Sequence, residues 1–136
     1  MNAAIFLILL TLSKCGCPLE VIVEEKEVVT RIGEEVELKC KANLGKVGCS
    51  FTSPLGKSFI MNSKNASDEG GRIQAVDTQN PSDCAMKITE IKQIDNGNWR
   101  CNVTCRNCDN GRYDIGVNFI NLIVMVPVEE ADSKFN

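Results

Sequence analysis

From Leu19 onward, apolar residues recur at every second position in short runs, and Gly, Asn, Asp and Pro interrupt them before any helical spacing can build up. Such period-two runs predict strands with one buried and one wet face. The clearest covers residues 33–40, where Val36, Leu38 and Cys40 share one face while Glu35, Glu37 and Lys39 share the other. Cys49 and Phe51 form a second inward pair within 48–53, before Pro54-Leu55-Gly56 turns the chain. Residues 58–61 read as a short edge strand. The polar, Gly-containing span 62–71 reads as an exposed loop, 72–76 as a weaker strand and 79–83 as a turn.

Cys84, Met86 and Ile88 alternate inward, with Ile91 and Ile94 continuing the apolar side as that strand ends. After the Asp95-Asn96-Gly97 turn, Trp99, Cys101 and Val103 face the core. Residues 113–126 form one long strand whose apolar phase shifts near Phe119 and Ile120, which predicts a bulge. Seven to nine short strands separated by frequent turns predict an all-β sandwich or barrel.

The 136 residues leave room for one ordinary domain. Residues 3–12 are apolar apart from Thr11, and small or polar residues follow at Ser13, Cys15 and Gly16. The run is about half the length needed to span a bilayer and reads as a signal peptide over 1–15, cleaved after Cys15. An apolar stretch at 119–126 reads as a strand, and 129–136 is a polar C-terminal tail, so neither a membrane anchor nor a lipid-anchor signal is expected. Eight cysteines behind a leader point to disulfides formed in an oxidising compartment. Asn65-Ala66-Ser67 and Asn102-Val103-Thr104 are glycosylation sequons that fit the same secretory route. The net charge of −3 comes with no basic stripe, which argues against nucleic acid and anionic membrane as partners.

One stretch carries a resemblance. Met86-x-Ile88-x-x-Ile91-x-x-x-Asp95-x-Gly97-x-Trp99-x-Cys101 resembles the E-strand, E–F corner and F-strand signature of immunoglobulin domains. It implies, over residues 16–128, an immunoglobulin-like antiparallel β-sandwich of variable or intermediate type, with seven to nine strands. It also implies an inter-sheet disulfide between Cys40 and Cys101. On the chain-entropy model, closing a loop of that size contributes roughly 4 kcal/mol. The usual strand-C tryptophan is missing, and Phe51 is the candidate to fill its place. Trp99 stands where the corner tyrosine is usual, so a phenolic hydrogen bond is lost there and the indole N–H is a candidate substitute. Cys49 and Cys84 share inward faces with Phe51 and Met86 and invite a second pairing. With Cys49-Ser50-Phe51-x-x-Pro54-x-Gly56 and the Trp-containing corner, this arrangement is similar to the fasciclin III type of insect adhesion domain. Arg72 and Asp95 either pair beneath the corner, as a similar Arg and Asp do in variable-type domains, or are two solvated surface charges.

Cleavage after Cys15 leaves Cys17, Cys105 and Cys108 outside these two pairs. Cys105–Cys108, a bond from Cys17 to one of them, and a covalent dimer through the odd cysteine all remain open. A zinc or redox role for Cys105-x-x-Cys108 lacks further ligands and a βαβ context.

The chain has no histidine, which removes His-based triads, dyads and metal ligands, and neither enzymatic activity nor a cofactor is expected. The expected role is extracellular recognition or adhesion, as a soluble ligand, decoy or immune-type effector. Its partner would be an extracellular or cell-surface protein, with a second copy of the chain among the candidates. Candidate contacts are Lys46 in the 43–47 loop, Arg106 and Tyr113 around the 104–113 loop, and the face carrying Lys57 and Ser58. Tyr113 is either an exposed aromatic anchor or a strand-packing residue. The alternatives are a disulfide-held inhibitor or toxin-like effector acting on an enzyme or channel, and a small-molecule carrier.

Overall fold

The computed structural model describes residues 19–43, 48–61, 67–106 and 111–127. The expected leader and tail, Cys17, Lys46, Asn65 and Cys108 lie outside the described residues. Among the described residues ten strands run in the order β1 (Val21–Ile22), β2 (Glu27–Arg31), β3 (Val36–Ala42), β4 (Gly48–Thr52), β5 (Ser58–Ile60), β6 (Ser67–Asp68), β7 (Ile73–Ala75), β8 (Asp83–Ile88), β9 (Gly97–Arg106) and β10 (Tyr113–Met125). They form two five-stranded sheets, β1-β3-β8-β7-β6 and β2-β10-β9-β4-β5. All pairings are antiparallel except β2 with β10, which run parallel from Glu27 opposite Asn121 to Arg31 opposite Met125.

The count exceeds seven to nine because the N-terminal segment serves both sheets, with β1 pairing to β3 before β2 crosses to β10. The span expected as a loop over 62–71 contains β6 and a 3-10 turn at Glu69–Gly71.

The inward faces meet as a core of Leu38, Phe51, Ile73, Met86, Ile88, Trp99, Val103, Ile120 and Leu122, all buried. Among the described residues two disulfides cross from sheet to sheet, Cys40–Cys101 with Cα atoms 6.7 Å apart and Cys49–Cys84 with Cα atoms 6.4 Å apart. Phe51 lies opposite Cys101 on the paired strands and is fully buried, in the position expected of the missing tryptophan.

Beneath the corner, Arg72 and Asp95 form a buried two-pronged ion pair, at 2.6 Å from Nη1 to Oδ2 and 3.1 Å from Nη2 to Oδ1. Asp95 Oδ2 also accepts the Lys92 N–H at 2.8 Å, and the Trp99 indole N–H donates to the Asp95 carbonyl at 2.8 Å. The indole therefore takes over a corner hydrogen bond, and the solvated alternative for Arg72 and Asp95 is excluded. Gly97 has φ of +130°, and a Cβ there would stand 3.0 Å from Pro54 Cβ, so both backbone and space require glycine.

Two expectations are corrected. Ile94 is exposed, because Gln93–Asp95 forms a 3-10 turn that breaks the period-two alternation and turns Asp95 inward instead. No bulge interrupts β10, whose register against β9 runs unbroken from Tyr113 opposite Arg106 to Leu122 opposite Gly97. The apparent phase shift has another cause. In the first half of β10 the inward residues are Asp114, Gly116 and Asn118, and the apolar ones face outward. The N-terminal segment packs over that inner side. A Cβ on Gly116 would lie 2.8 Å from Val21 Cγ2, and Asn118 Nδ2 donates to the Val21 carbonyl at 2.8 Å.

Candidate partner-binding face

The outer surface of sheet β2-β10-β9-β4-β5 follows from this inversion. A strand buries only alternate side chains, so placing Gly116 and Asn118 inward sends Tyr113, Ile115, Val117 and Phe119 outward. Their fractional exposures are 61%, 71%, 50% and 51%. Phe119 is thus a second exposed aromatic beside Tyr113, whose strand-packing alternative is excluded. Val29 on β2 and Ile60 on β5 add exposed apolar side chains to the same surface. β2 pairs only with the second half of β10, so among the described residues 113–119 also form the edge of the sheet.

The neighbouring strand is polar. Across from the stripe, β9 presents Arg106 opposite Tyr113, Thr104 opposite Ile115, Asn102 opposite Val117 and Arg100 opposite Phe119. Asn102 leans away from the stripe, towards β4. Its Nδ2 lies 3.1 Å from Thr52 Oγ1, 3.3 Å from Ser50 Oγ and 3.4 Å from the Ser50 carbonyl. Beyond it, Gly48, Ser50, Ile60, Asn102, Thr104 and Tyr113 line an open depression.

Of the candidate contacts, Arg106 and Tyr113 come together at one end of this face, both exposed. Lys57 is held by an ion pair to Glu69, and its ammonium sits 5.4 Å from the centre of the Phe59 ring. Ser58 and Thr52 hydroxyls are 3.1 Å apart on the same sheet. Cys105 is buried on the inward side of β9. Sequence reasoning missed Ile115, Val117, Phe119 and Ile60 as surface residues. The signal that could have found the three on β10 was the Asp-x-Gly-x-Asn run at 114–118, alternating with apolar residues.

A smaller cleft between β1, β2 and β3, about 170 Å³ in volume, is lined in part by Glu24, Glu37, Lys39 and Lys41. Both of its lysines are paired, with Lys41 Nζ 2.5 Å from Glu24 Oε1 and Lys39 Nζ 3.4 Å from Asp83 Oδ2, while Glu25 and Glu37 add further carboxylates to the lining. The hydrogen bond and charge of Lys41 hold the Glu24 carboxyl below its ordinary pKa, and the same contacts raise that of Lys41. The sulfurs of Cys40, Cys84 and Cys101 cluster within 4.8 Å, but all three are bound in disulfides and offer no thiolate to a metal. No helix among the described residues is long and apolar enough to cross a membrane.

No protein-family model and no curated protein matches the chain. Solved structures do, with 1839 matching chains, so the architecture is common and does not single out a partner. One is the crystal structure of the ZIG-8 IG1 homodimer, which superposes with a TM-score of 0.58 at 14% identity, covering 76% of this chain and 81% of that one. At such low identity the likeness establishes architecture alone: the chain has an immunoglobulin-like β-sandwich fold.

Proposed function

We propose that the protein is a secreted, non-catalytic recognition module that pairs with a second copy of itself through the outer face of sheet β2-β10-β9-β4-β5. The observation that carries this reading is the exposed stripe of Tyr113, Ile115, Val117 and Phe119 along a sheet edge. A contiguous apolar patch on an open edge is a liability unless something covers it. A two-fold pairing needs a self-complementary surface, and an apolar stripe laid on its own copy provides one.

Two crossing disulfides and two sequons favour an oxidising, secretory environment. The ZIG-8 domain of the same fold was solved as a homodimer, which adds weight to self-pairing. The second disulfide and the Trp corner keep fasciclin III-like adhesion as the subfamily reading. The inhibitor alternative would act through the disulfide-held segment of Cys105 and Cys108, of which Cys108 lies outside the described residues, and gains no support.

Sedimentation velocity at rising concentration tests the proposal. A dimer should grow with concentration and vanish in Val117→Asp; a monomer up to high micromolar concentration would sink it.

A further inference from the structure

We infer that Asn102 carries an N-linked glycan that covers the β4–β5 half of the binding face and confines pairing to the β10 stripe; the confinement rests on the proposed self-pairing, the glycan and its coverage do not. The sequon Asn102-Val103-Thr104 lies within β9 with both its polar side chains on the outer face, Val103 pointing into the core between them. A glycan at this position therefore emerges near the middle of a flat sheet surface, not from a loop at its rim.

The acceptor chemistry is simple. The side-chain nitrogen Nδ2 forms a bond to the anomeric carbon of a lipid-pyrophosphate-linked oligosaccharide. The bond from that carbon to the pyrophosphate oxygen breaks, the lipid pyrophosphate leaves with the bonding pair, and one amide proton is released. One N–H remains on Nδ2 as a donor.

The direction of the sugar follows from where Nδ2 points. All three of its acceptors, Ser50 O, Ser50 Oγ and Thr52 Oγ1, belong to β4. The attached sugar thus leaves over β4 and β5, onto the depression that Gly48 opens and Ile60 borders. Ile60 is 64% exposed and offers an apolar floor for the sugar ring. Tyr113, at the end of the β10 stripe, also borders that depression, whereas Ile115, Val117 and Phe119 line none of it and stay uncovered.

The test uses the full chain secreted from eukaryotic cells. Peptide mass analysis should find Asn102 converted to Asp by amidase release of the glycan, lost in Thr104→Ala and retained in Thr104→Ser; an unmodified Asn102 overturns the inference. Hydroxyl-radical footprinting of dilute protein, before and after enzymatic deglycosylation, reads coverage without requiring dimers. Labelling of Ile60 should rise at least threefold while that of Phe119 changes little; equal changes at both, or none at Ile60, overturn the coverage. Sedimentation of glycosylated Ile60→Asp and Val117→Asp then addresses confinement, with pairing expected to survive the first and fail in the second. Loss of pairing in both overturns confinement. An unmutated protein that never pairs, glycosylated or not, refutes self-pairing and with it the confinement, while the mass and footprinting results stand on their own.

Discussion

Cys40 lies directly opposite Cys84 on the paired strands β3 and β8, yet each is bonded across the sandwich to the other sheet, to Cys101 and Cys49. The two sheets are therefore riveted twice at nearly the same level of the core. Removing the inner bond as Cys49→Ala/Cys84→Ala opens a loop with a sequence separation of 35. On the chain-entropy model this lowers the unfolding free energy by about 3–4 kcal/mol, to be read by guanidinium denaturation. A change below about 1 kcal/mol would show that the outer bond alone sets the constraint.

The Arg72–Asp95 pair is buried on both sides, and Arg72 Nε has no hydrogen-bond partner among the described residues. Asp95→Ala leaves the guanidinium uncompensated and should cost about 3–5 kcal/mol. The double variant Arg72→Met/Asp95→Leu removes both charges and should lose only about 1–2 kcal/mol. If the double variant is as unstable as the sum of the singles, the two side chains are not coupled and each acts through its other contacts.

Gly116→Ala should destabilise by about 1–3 kcal/mol, because a methyl group there overlaps a stiff Val21 side chain. Hydrogen exchange should show the loss concentrated at 19–23. A loss spread evenly over the sandwich would mean that β1 does not depend on this approach.

Glu24 and Lys41 give a pH signature with two edges. A lowered carboxyl pKa contributes stability above its unfolded value and loses it as pH falls through the folded one. A raised ammonium pKa contributes below its unfolded value and loses it as pH rises through the folded one. Both groups are exposed, so the effect is small. The difference in melting temperature between the native chain and Lys41→Ala should be present near neutrality and disappear at acid and at strongly alkaline pH. A pH-independent difference would point to packing of the lysine stem instead.

Val117→Asp and Phe119→Ser lie on an exposed face and should change stability by no more than about 0.5 kcal/mol. They should abolish self-association in sedimentation all the same. A large stability loss would place these side chains in the fold's own packing.

The strands bearing Leu38, Cys40, Trp99 and Cys101 were legible in the sequence because each has a wet face and a dry face, and the alternation reports it directly. The corner was legible through Asp95, Gly97 and Trp99, whose chemistry constrains a tight turn. Ile94 misled because a 3-10 turn has no period of two. The first half of β10 misled for a deeper reason. Its change of apolar phase reads as a bulge, whereas the strand is regular and the inner side of its first half is filled by Leu19 and Val21, which only the packed structure reveals. The exposed apolar stripe was thus hidden in the sequence behind an apparent change of phase.

The parallel pairing of β2 with β10 sets how the sandwich would respond to tension. Pulled from residues 19 and 127, the two strands slide past each other along five residue pairs at once, so the contacts bear load together in shear instead of unzipping singly. Once they slip, the Cys40–Cys101 bond keeps the intervening chain out of the extension. That bond leaves lengthening to the segments outside it, such as 19–40, at about 3.5 Å per residue.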